Sequence, residues 1–429
     1  MNVQPALFSS NQYLGHNGVT IGSFSICDGR WVDFAPSGRA KSLQPGPYFV
    51  AQRPTEIHCH GVGRFDFTDI PSLDLDEIEA NLRSEGVNCV LTLYLLKDNF
   101  EALIRLLEDY EFGRKRGTYT HIAGVAVEGP ILASHGGTPS ETVWMPSVRQ
   151  WLRLSAAGAQ GLRYIVLSPD AVWSQNEPQS SLDRSPPDVQ WICDALLDGG
   201  VPPAPGHFTK DDPGRSAIAL RSLLERVAAR GLTNLSDHLF NDMPRLFKHA
   251  WRTPTERARR LADLQEMNLD EWSLDQLERQ VGPVPATLMR AAAEGIVKPC
   301  LNFDGEHVDL AISHRTVQLL GADNLIAMTD RIDSRVLAGR HLTTPEKSTL
   351  LYEHHGLVAA GTQRFPIQRA NMLSVGINDA DIWRMFAFNP ADVLDFDRMR
   401  PGRLAPPPVY VDANGEIVSV REPRVLEVA

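Results

Sequence analysis

Ile122-Ala123-Gly124-Val125-Ala126-Val127-Glu128-Gly129-Pro130 is an apolar run that ends in a carboxylate and is then broken by Gly-Pro. A short run of this kind, bounded by a turn signal, reads as a buried strand. Short apolar runs recur to either side of it, at 56–60, 87–93, 161–167, 201–207, 233–238, 296–303 and 325–330, so that eight strands are expected in all. Longer amphipathic segments alternate with them, at 73–84, 99–114, 188–198, 215–229 and 310–320. That alternation is the signature of βα units and a mostly parallel sheet. Eight such units predict an α/β fold with a closed (β/α)8 TIM-like barrel.

Both ends of the chain depart from this rhythm. Stretches 19–26 and 31–34 alternate between Gly, Pro and Asp-Gly breaks, and 408–412 and 416–420 flank an Ala-Asn-Gly turn that favours a hairpin. The expectation is a small β-sandwich domain formed by both termini. Its N-terminal part is residues 1-52 and its C-terminal part 399-429, with the barrel over 53-398. About fifty residues separate the sixth and seventh strands, far more than a simple connection, and 253–267 and 274–294 carry helical patterns. A helical insertion over about 245-294 is therefore expected, placed to cover a pocket mouth or to meet a second subunit.

The chain has 429 residues, 43% hydrophobic and 22% charged, enough to bury a large core. A net charge of −11, spread along the chain, argues against nucleic acid or an anionic membrane as partner and for a small-molecule substrate. Five cysteines without a CxxC pair suggest neither a disulfide framework nor a zinc ribbon, and a cytoplasmic location is expected. No leader-like N-terminus or run long enough to span a bilayer is expected.

In a barrel of this kind the chemistry sits at the carboxyl ends of the strands. Here those ends carry His58 and His60 on the first strand, Glu128 on the third, His207 on the fifth, His238 on the sixth and Asp330 on the eighth. Residues two apart on a strand share a face, so His58 and His60 can reach one cation while Cys59 packs on the other side. A carboxylate at the tip of a buried strand, like Glu128, is costly without compensation, which one cation or two bridged cations would give. Asp330 can exchange a proton with water beside such a cation. Each has a plainer reading: half-buried histidines near a turn, an Arg or Lys partner for Glu128, an N-cap for Asp330. Chance does not easily supply the ordered series across different strands.

Taken together the segments Glu56-Ile57-His58-Cys59-His60-Gly61, Val127-Glu128-Gly129-Pro130, Gly206-His207, His238-Leu239-Phe240-Asn241-Asp242-Met243-Pro244, Asp304-Gly305-Glu306-His307-Val308 and Met328-Thr329-Asp330 resemble the N-acetylglucosamine-6-phosphate deacetylase family of the amidohydrolase superfamily. The late Asn389-Pro390-Ala391 and Gly402-Arg403-Leu404-Ala405-Pro406 segments are similar to that family's C-terminal signature. The resemblance implies metal-dependent hydrolysis of an N-acetyl amide on a small amino-sugar-like substrate. It implies Glu128, His207 and His238 as principal metal ligands, His58 and His60 as the pair that joins them in two-metal members, and Asp330 as general base and acid. One or two divalent ions, with zinc expected, and a homodimer are implied as well. Asn241 and His307 fall where that family holds the sugar phosphate.

Two departures bear on specificity. The Lys/Arg-Gly-x-His string that usually follows Glu-Gly-Pro is replaced by Ser134-His135-Gly136-Gly137-Thr138-Pro139, in which His135 sits at a different offset. A second cation on His58 and His60 could polarise the carbonyl in its place. Asp242 replaces a small residue beside the expected anion, and like charges there disfavour phosphate unless Arg245, Lys248 or Arg252 offsets it. Other amidohydrolase chemistry, cyclic amide opening or deamination, and an inactive metal-binding homologue remain alternatives at this stage.

Overall fold

The computed structural model describes residues 7–27, 30–40, 43, 48–171, 187–243, 267–394, 409–412 and 417–419, with single positions between 255 and 265. Its α/β fold is built on the strands expected from the apolar runs. They are Thr55–Gly61, Asn88–Tyr94, Ile122–Glu128, Leu162–Leu167, Pro203–Pro205, Asn234–His238, Val297–Asn302 and Ile326–Met328, called below the first to eighth strands. The first five pair in parallel, in order, and the sixth, seventh and eighth do the same. Beyond the eighth strand, Arg331–Ile332 pairs in parallel with the first, and the Asp330 amide donates to the His58 carbonyl at 3.1 Å. Between the fifth and sixth strands the link is a side chain: Asn234 Nδ2 donates to the Pro203 carbonyl at 2.7 Å. Pro203 and Pro205 lack the N–H a ladder needs, which shortens the expected 201–207 strand to three residues.

The pleat sorts the side chains. Ile57, Val90, Ala126, Val166, Ala204, Leu235, Cys300 and Ile326, one from each strand, pack together in one buried cluster. Tyr164 crosses this interior and donates its hydroxyl to the Ile57 carbonyl at 2.6 Å. The opposite faces, including Leu91, Val125, Ile165 and Leu301, pack with helical residues such as Leu82, Leu107, Trp151 and Leu224 in a larger cluster. Removing a large side chain from either layer would cost about 2–5 kcal/mol.

The expected helices appear as Leu75–Glu85, Phe100–Lys115, Val189–Asp198, Pro213–Ala228 and Leu310–Leu320. Asp74, Asp188, Asp212 and Asp309 cap four of them, each side chain accepting from a first-turn amide. Val148–Ala156, opened by a Ser147–Gln150 capping box, was not anticipated. In the long connection, Leu277–Val281 and Pro283–Ala293 are helical, while most of 244–266 lies outside the described residues.

The terminal strands Leu7–Gly15, Gly18–Cys27, Arg30–Ala40, Tyr48–Ala51, Val409–Asp412 and Ile417–Ser419 form one six-stranded sheet. Val409–Asp412 pairs antiparallel with Tyr48–Ala51, so the two ends of the chain do meet. The turn at 413–416 and the Gly402–Pro406 segment lie outside the described residues. After the eighth strand the chain makes two small antiparallel pairings, Val336–Leu337 with Arg340–His341 and Leu350–Tyr352 with Val358–Gly361. The sheets are therefore mixed. Among the described residues no helix is long and apolar enough to cross a membrane.

Candidate metal centre

His58, His60, Glu128, His207, His238 and Asp330 are all buried and meet at the carboxyl end of the array. Glu128 lies between two sets of ligands. Its Oε2 is 2.9 Å from His58 Nε2 and 3.3 Å from His60 Nε2, and its Oε1 is 2.7 Å from His207 Nε2. His60 Nε2 is also 3.3 Å from Asp330 Oδ1. The potential ligand atoms fall into two groups, His58, His60 and Asp330 in one and Glu128, His207, Asp237 and His238 in the other, each within 4.8 Å.

The outer ring nitrogens show which way the lone pairs point. His60 Nδ1 faces the Thr92 carbonyl at 3.1 Å, His207 Nδ1 the Ser134 carbonyl at 2.8 Å and His238 Nδ1 the Asn241 carbonyl at 3.1 Å. A carbonyl only accepts, so each Nδ1 carries the proton and each Nε2 presents a lone pair to the centre. His58 Nε2 and His60 Nε2 lie 3.1 Å apart with carboxylate oxygens around them. Inward imidazole nitrogens gathered with carboxylate oxygens fit a divalent cation.

The protein's own charges reveal the same demand. Burial pushes the His58 imidazole down, but Glu128, Asp237 and Asp330 overcome it and raise it to about 9. Burial likewise opposes protonation of His207, yet Asp237, Asp242 and Glu128 hold it well above the usual range. Burial raises Asp330, whereas the His60 hydrogen bond and the charges of His307, His58 and His238 hold it well below the ordinary carboxylate range. Excess negative charge thus draws protons onto the imidazoles, and a cation would displace them.

Local backbone strain accompanies this aim. His207 has φ +54°, Asp330 +49° and Asp242 +42°, a left-handed region that side chains rarely adopt. Strain held by surrounding structure is typical of functional sites.

The expected substrate-side residues divide. Asn241 and Asp242 line a narrow cleft with Tyr94, Thr138 and the centre itself. Asn241 Nδ2 is 3.5 Å from Asp330 Oδ2. Asp242 is partnered by Lys210 Nζ at 2.7 Å and lies 3.2 Å from His207 Nδ1. His307 is fully buried, its Nε2 3.3 Å from Asp330 and its Nδ1 2.5 Å from Asp304, so it faces Asp330 from behind. Glu306 turns away, accepting from Ser348 Oγ and from the Thr349 amide and hydroxyl. His135 is at the rim, with Nδ1 on the Thr138 carbonyl and its ring edge-on to His355. Arg245, like Lys248 and Arg252, lies outside the described residues.

Three residues at the centre were not singled out from sequence. Thr138 donates its hydroxyl to Glu128 Oε1 at 3.2 Å, so this loop supplies a hydroxyl rather than His135. Tyr94 stacks on His60, its hydroxyl 3.1 Å from Nε2. It ends the second strand, one residue past the expected limit, and its place on a strand tip was the available signal. Asp237 is the third; its neighbour His238 took the ligand position in the strand pattern.

No protein-family model matches this sequence, and no curated protein matches it. Solved structures do. A variant of N-acetyl-D-glucosamine-6-phosphate deacetylase from Mycobacterium smegmatis, in complex with N-acetyl-D-glucosamine-6-phosphate, superposes with a TM-score of 0.67 at 19% identity, covering 96% of this chain and 97% of that one. N-acetylglucosamine-6-phosphate deacetylase from Pasteurella multocida gives 0.67 at 15% identity, with the same coverage. That from Thermotoga maritima gives 0.65 at 16% identity, again over 96% and 97% of the two chains. Over nearly its whole length, this chain has the fold of these deacetylases.

Proposed function

We propose that the chain is a metal-dependent amidohydrolase that removes an acetyl group from an N-acetylated, amino-sugar-like small molecule. The observation that carries this is the convergence of four inward Nε2 atoms with Glu128 and Asp330 at the carboxyl end of a parallel array. The likeness in fold to deacetylases, one of them holding N-acetyl-D-glucosamine-6-phosphate, supports the choice of substrate class.

In this reading His58, His60, Glu128, His207 and His238 hold one or two divalent ions, zinc being the first expectation. Such an ion supplies Lewis acidity, bringing the pKa of a water towards roughly 7 and drawing electrons from the acyl carbonyl. Asp330 takes the proton as the water adds to the carbonyl carbon. It then returns that proton to the amine nitrogen as the C–N bond breaks, which makes a poor leaving group a good one. His307, hydrogen-bonded to Asp304, orients the Asp330 carboxylate. Tyr94 and Thr138 fix His60 and Glu128, while Asn241 and Asp242, with His135, face the substrate's polar groups.

The architecture belongs to the same reading. The array is a closed (β/α)8 barrel over 53-398, its fifth and sixth strands joined through Asn234. A small β-sandwich is contributed by 1-52 and 399-429. A homodimer in the cytoplasm completes the proposal.

Two measurements test it together: elemental analysis of protein purified without added metal, and acetate release from N-acetyl amino sugars with and without a phosphate. Bound divalent metal with acetate release is the expected result. Metal-free protein, or ammonia or a ring-opened acid as the product, would refute the deacetylase assignment.

A further inference from the structure

Consecutive residues of a regular strand point to opposite faces, so Asp237 and His238 should not both reach the centre. They do, because the register between the sixth and seventh strands shifts there: Ser236 is opposite Pro299 while His238 is opposite Cys300. One extra residue on the sixth strand is a β-bulge, which re-aims a side chain. The bulge brings His238 round beside Asp237, which shares the interior face of Leu235 two residues before it. The Asp237 carboxylate is buried, 3.2 Å from His238 Nε2, 3.3 Å from His207 Nε2 and 3.5 Å from His58 Nδ1. Neither oxygen receives a hydrogen bond. Room is made by Gly206, where an added Cβ would stand 2.5 Å from Asp237 Cβ and 2.6 Å from its Oδ2.

We propose that Asp237 is a direct ligand of the cation held by Glu128, His207 and His238, giving that position a two-histidine, two-carboxylate shell. This rests on the metal-dependent reading above. A buried carboxylate that accepts no amide or hydroxyl hydrogen bond and faces only imidazole nitrogens has a large desolvation cost, and a cation shared with those nitrogens compensates it. A second carboxylate also adds negative charge and hard oxygen donors, which shifts preference from zinc towards ions such as Mn2+. Gly206 is the backbone feature that admits the Asp237 side chain, and the bulge the one that sets His238 beside it.

The test compares wild type with Asp237→Asn, which keeps the shape, and with Asp237→Ser, which also removes the carboxamide. Each protein is purified without added metal and dialysed against graded chelator. Ions per chain are counted by elemental analysis, and affinities for Zn2+ and Mn2+ are measured by competition with a chromophoric chelator. Far-UV circular dichroism in excess chelator verifies folding, and whichever variant is folded is used. The expected result is a cation affinity lowered at least tenfold, with Mn2+ losing more than Zn2+. Wild type that binds metal beside a folded variant that binds it equally well overturns the role of Asp237 and leaves the metal reading intact. Wild type that binds no metal overturns both.

Discussion

Glu79 gives the sharpest stability prediction, because one buried carboxylate gathers an unusual number of donors. It projects from the helix Leu75–Glu85 and accepts from the amides of Thr120 at 2.9 Å, His121 at 3.0 Å and Ile122 at 3.0 Å, and faces His121 Nδ1 at 3.0 Å. These residues lead into the third strand, whose far end is Glu128. Burial raises the Glu79 carboxyl, but His121 and the amides overcome it and lower the pKa from 4.5 to about 2. The difference, 4.5 minus about 2, amounts at 1.36 kcal/mol per pH unit to about 3 kcal/mol. The folded-state pKa is the depressed one, so this contribution is complete above the unfolded value and is lost as pH falls from about 4.5 towards 2. Glu79→Gln should therefore destabilise the chain by about 3 kcal/mol at pH 7, and by less than half of that near pH 3. Urea unfolding of both proteins at several pH values measures this. A difference that stays constant from pH 7 to pH 3 would show that the carboxylate's charge is not what ties helix to strand.

Three further outcomes are expected. Asp330→Asn should lower turnover by about two to four orders of magnitude while elemental analysis finds the wild-type ion content; unchanged turnover would remove Asp330 from proton transfer. Arg331→Met should cost about 3–5 kcal/mol, because Arg331 is fully buried against Glu56 at 2.6 Å, Glu85 at 2.7 Å and Asp333 at 2.6 Å, and while Arg364 also pairs with Glu85 and Asp333, the buried Glu56 carboxylate would lose its cation. Calorimetry that finds the melting temperature unchanged would refute that. Chelation should lower the melting temperature, since a ligand present at a hundred times its Kd adds about 2.7 kcal/mol to the folded state. Equal melting curves with and without chelator would count against a resident cation.

What was legible from sequence follows from how each signal arises. Buried parallel strands must be apolar on both faces, so the runs ending at His60, Glu128, His238 and Asp330 stood out, and a polar residue at each tip marked the rim. The fifth strand was overextended because three prolines among 202, 203 and 205 look like an apolar run yet lack amide donors. Asp237 was illegible: strict alternation assigns it to the face opposite His238, and a bulge made without glycine at 236–238 leaves no mark in composition. His135 and Thr138 share one loop, and only the loop's path decides which of them reaches Glu128. The pairings at 336–341 and 350–361 involve two to four residues each, too short for periodicity to register.

Those short pairings nonetheless bear on the chemistry. At φ +49° Asp330 is held in a conformation that costs a non-glycine residue roughly 1–2 kcal/mol, so something must over-determine it. Its amide donates to the His58 carbonyl at 3.1 Å, and its carbonyl accepts from the Gly361 amide at 2.7 Å. Residue 330 is thus clamped between the first strand and the last residue of Val358–Gly361. A glycine suits the close approach there, since a Cβ at 361 would lie 3.1 Å from His307 Cε1 and press on the ring that faces the Asp330 carboxylate. The same strand supplies Val358 to the pocket wall, against which the backbone of Gly137 packs so tightly that a Cβ would meet the Val358 carbonyl at 1.8 Å. A single strand outside the parallel array therefore sets both the aim of the Asp330 carboxylate and the wall beside it. Specificity and proton transfer are for that reason expected to change together when this strand is altered, even though it contributes no ligand to the metal centre.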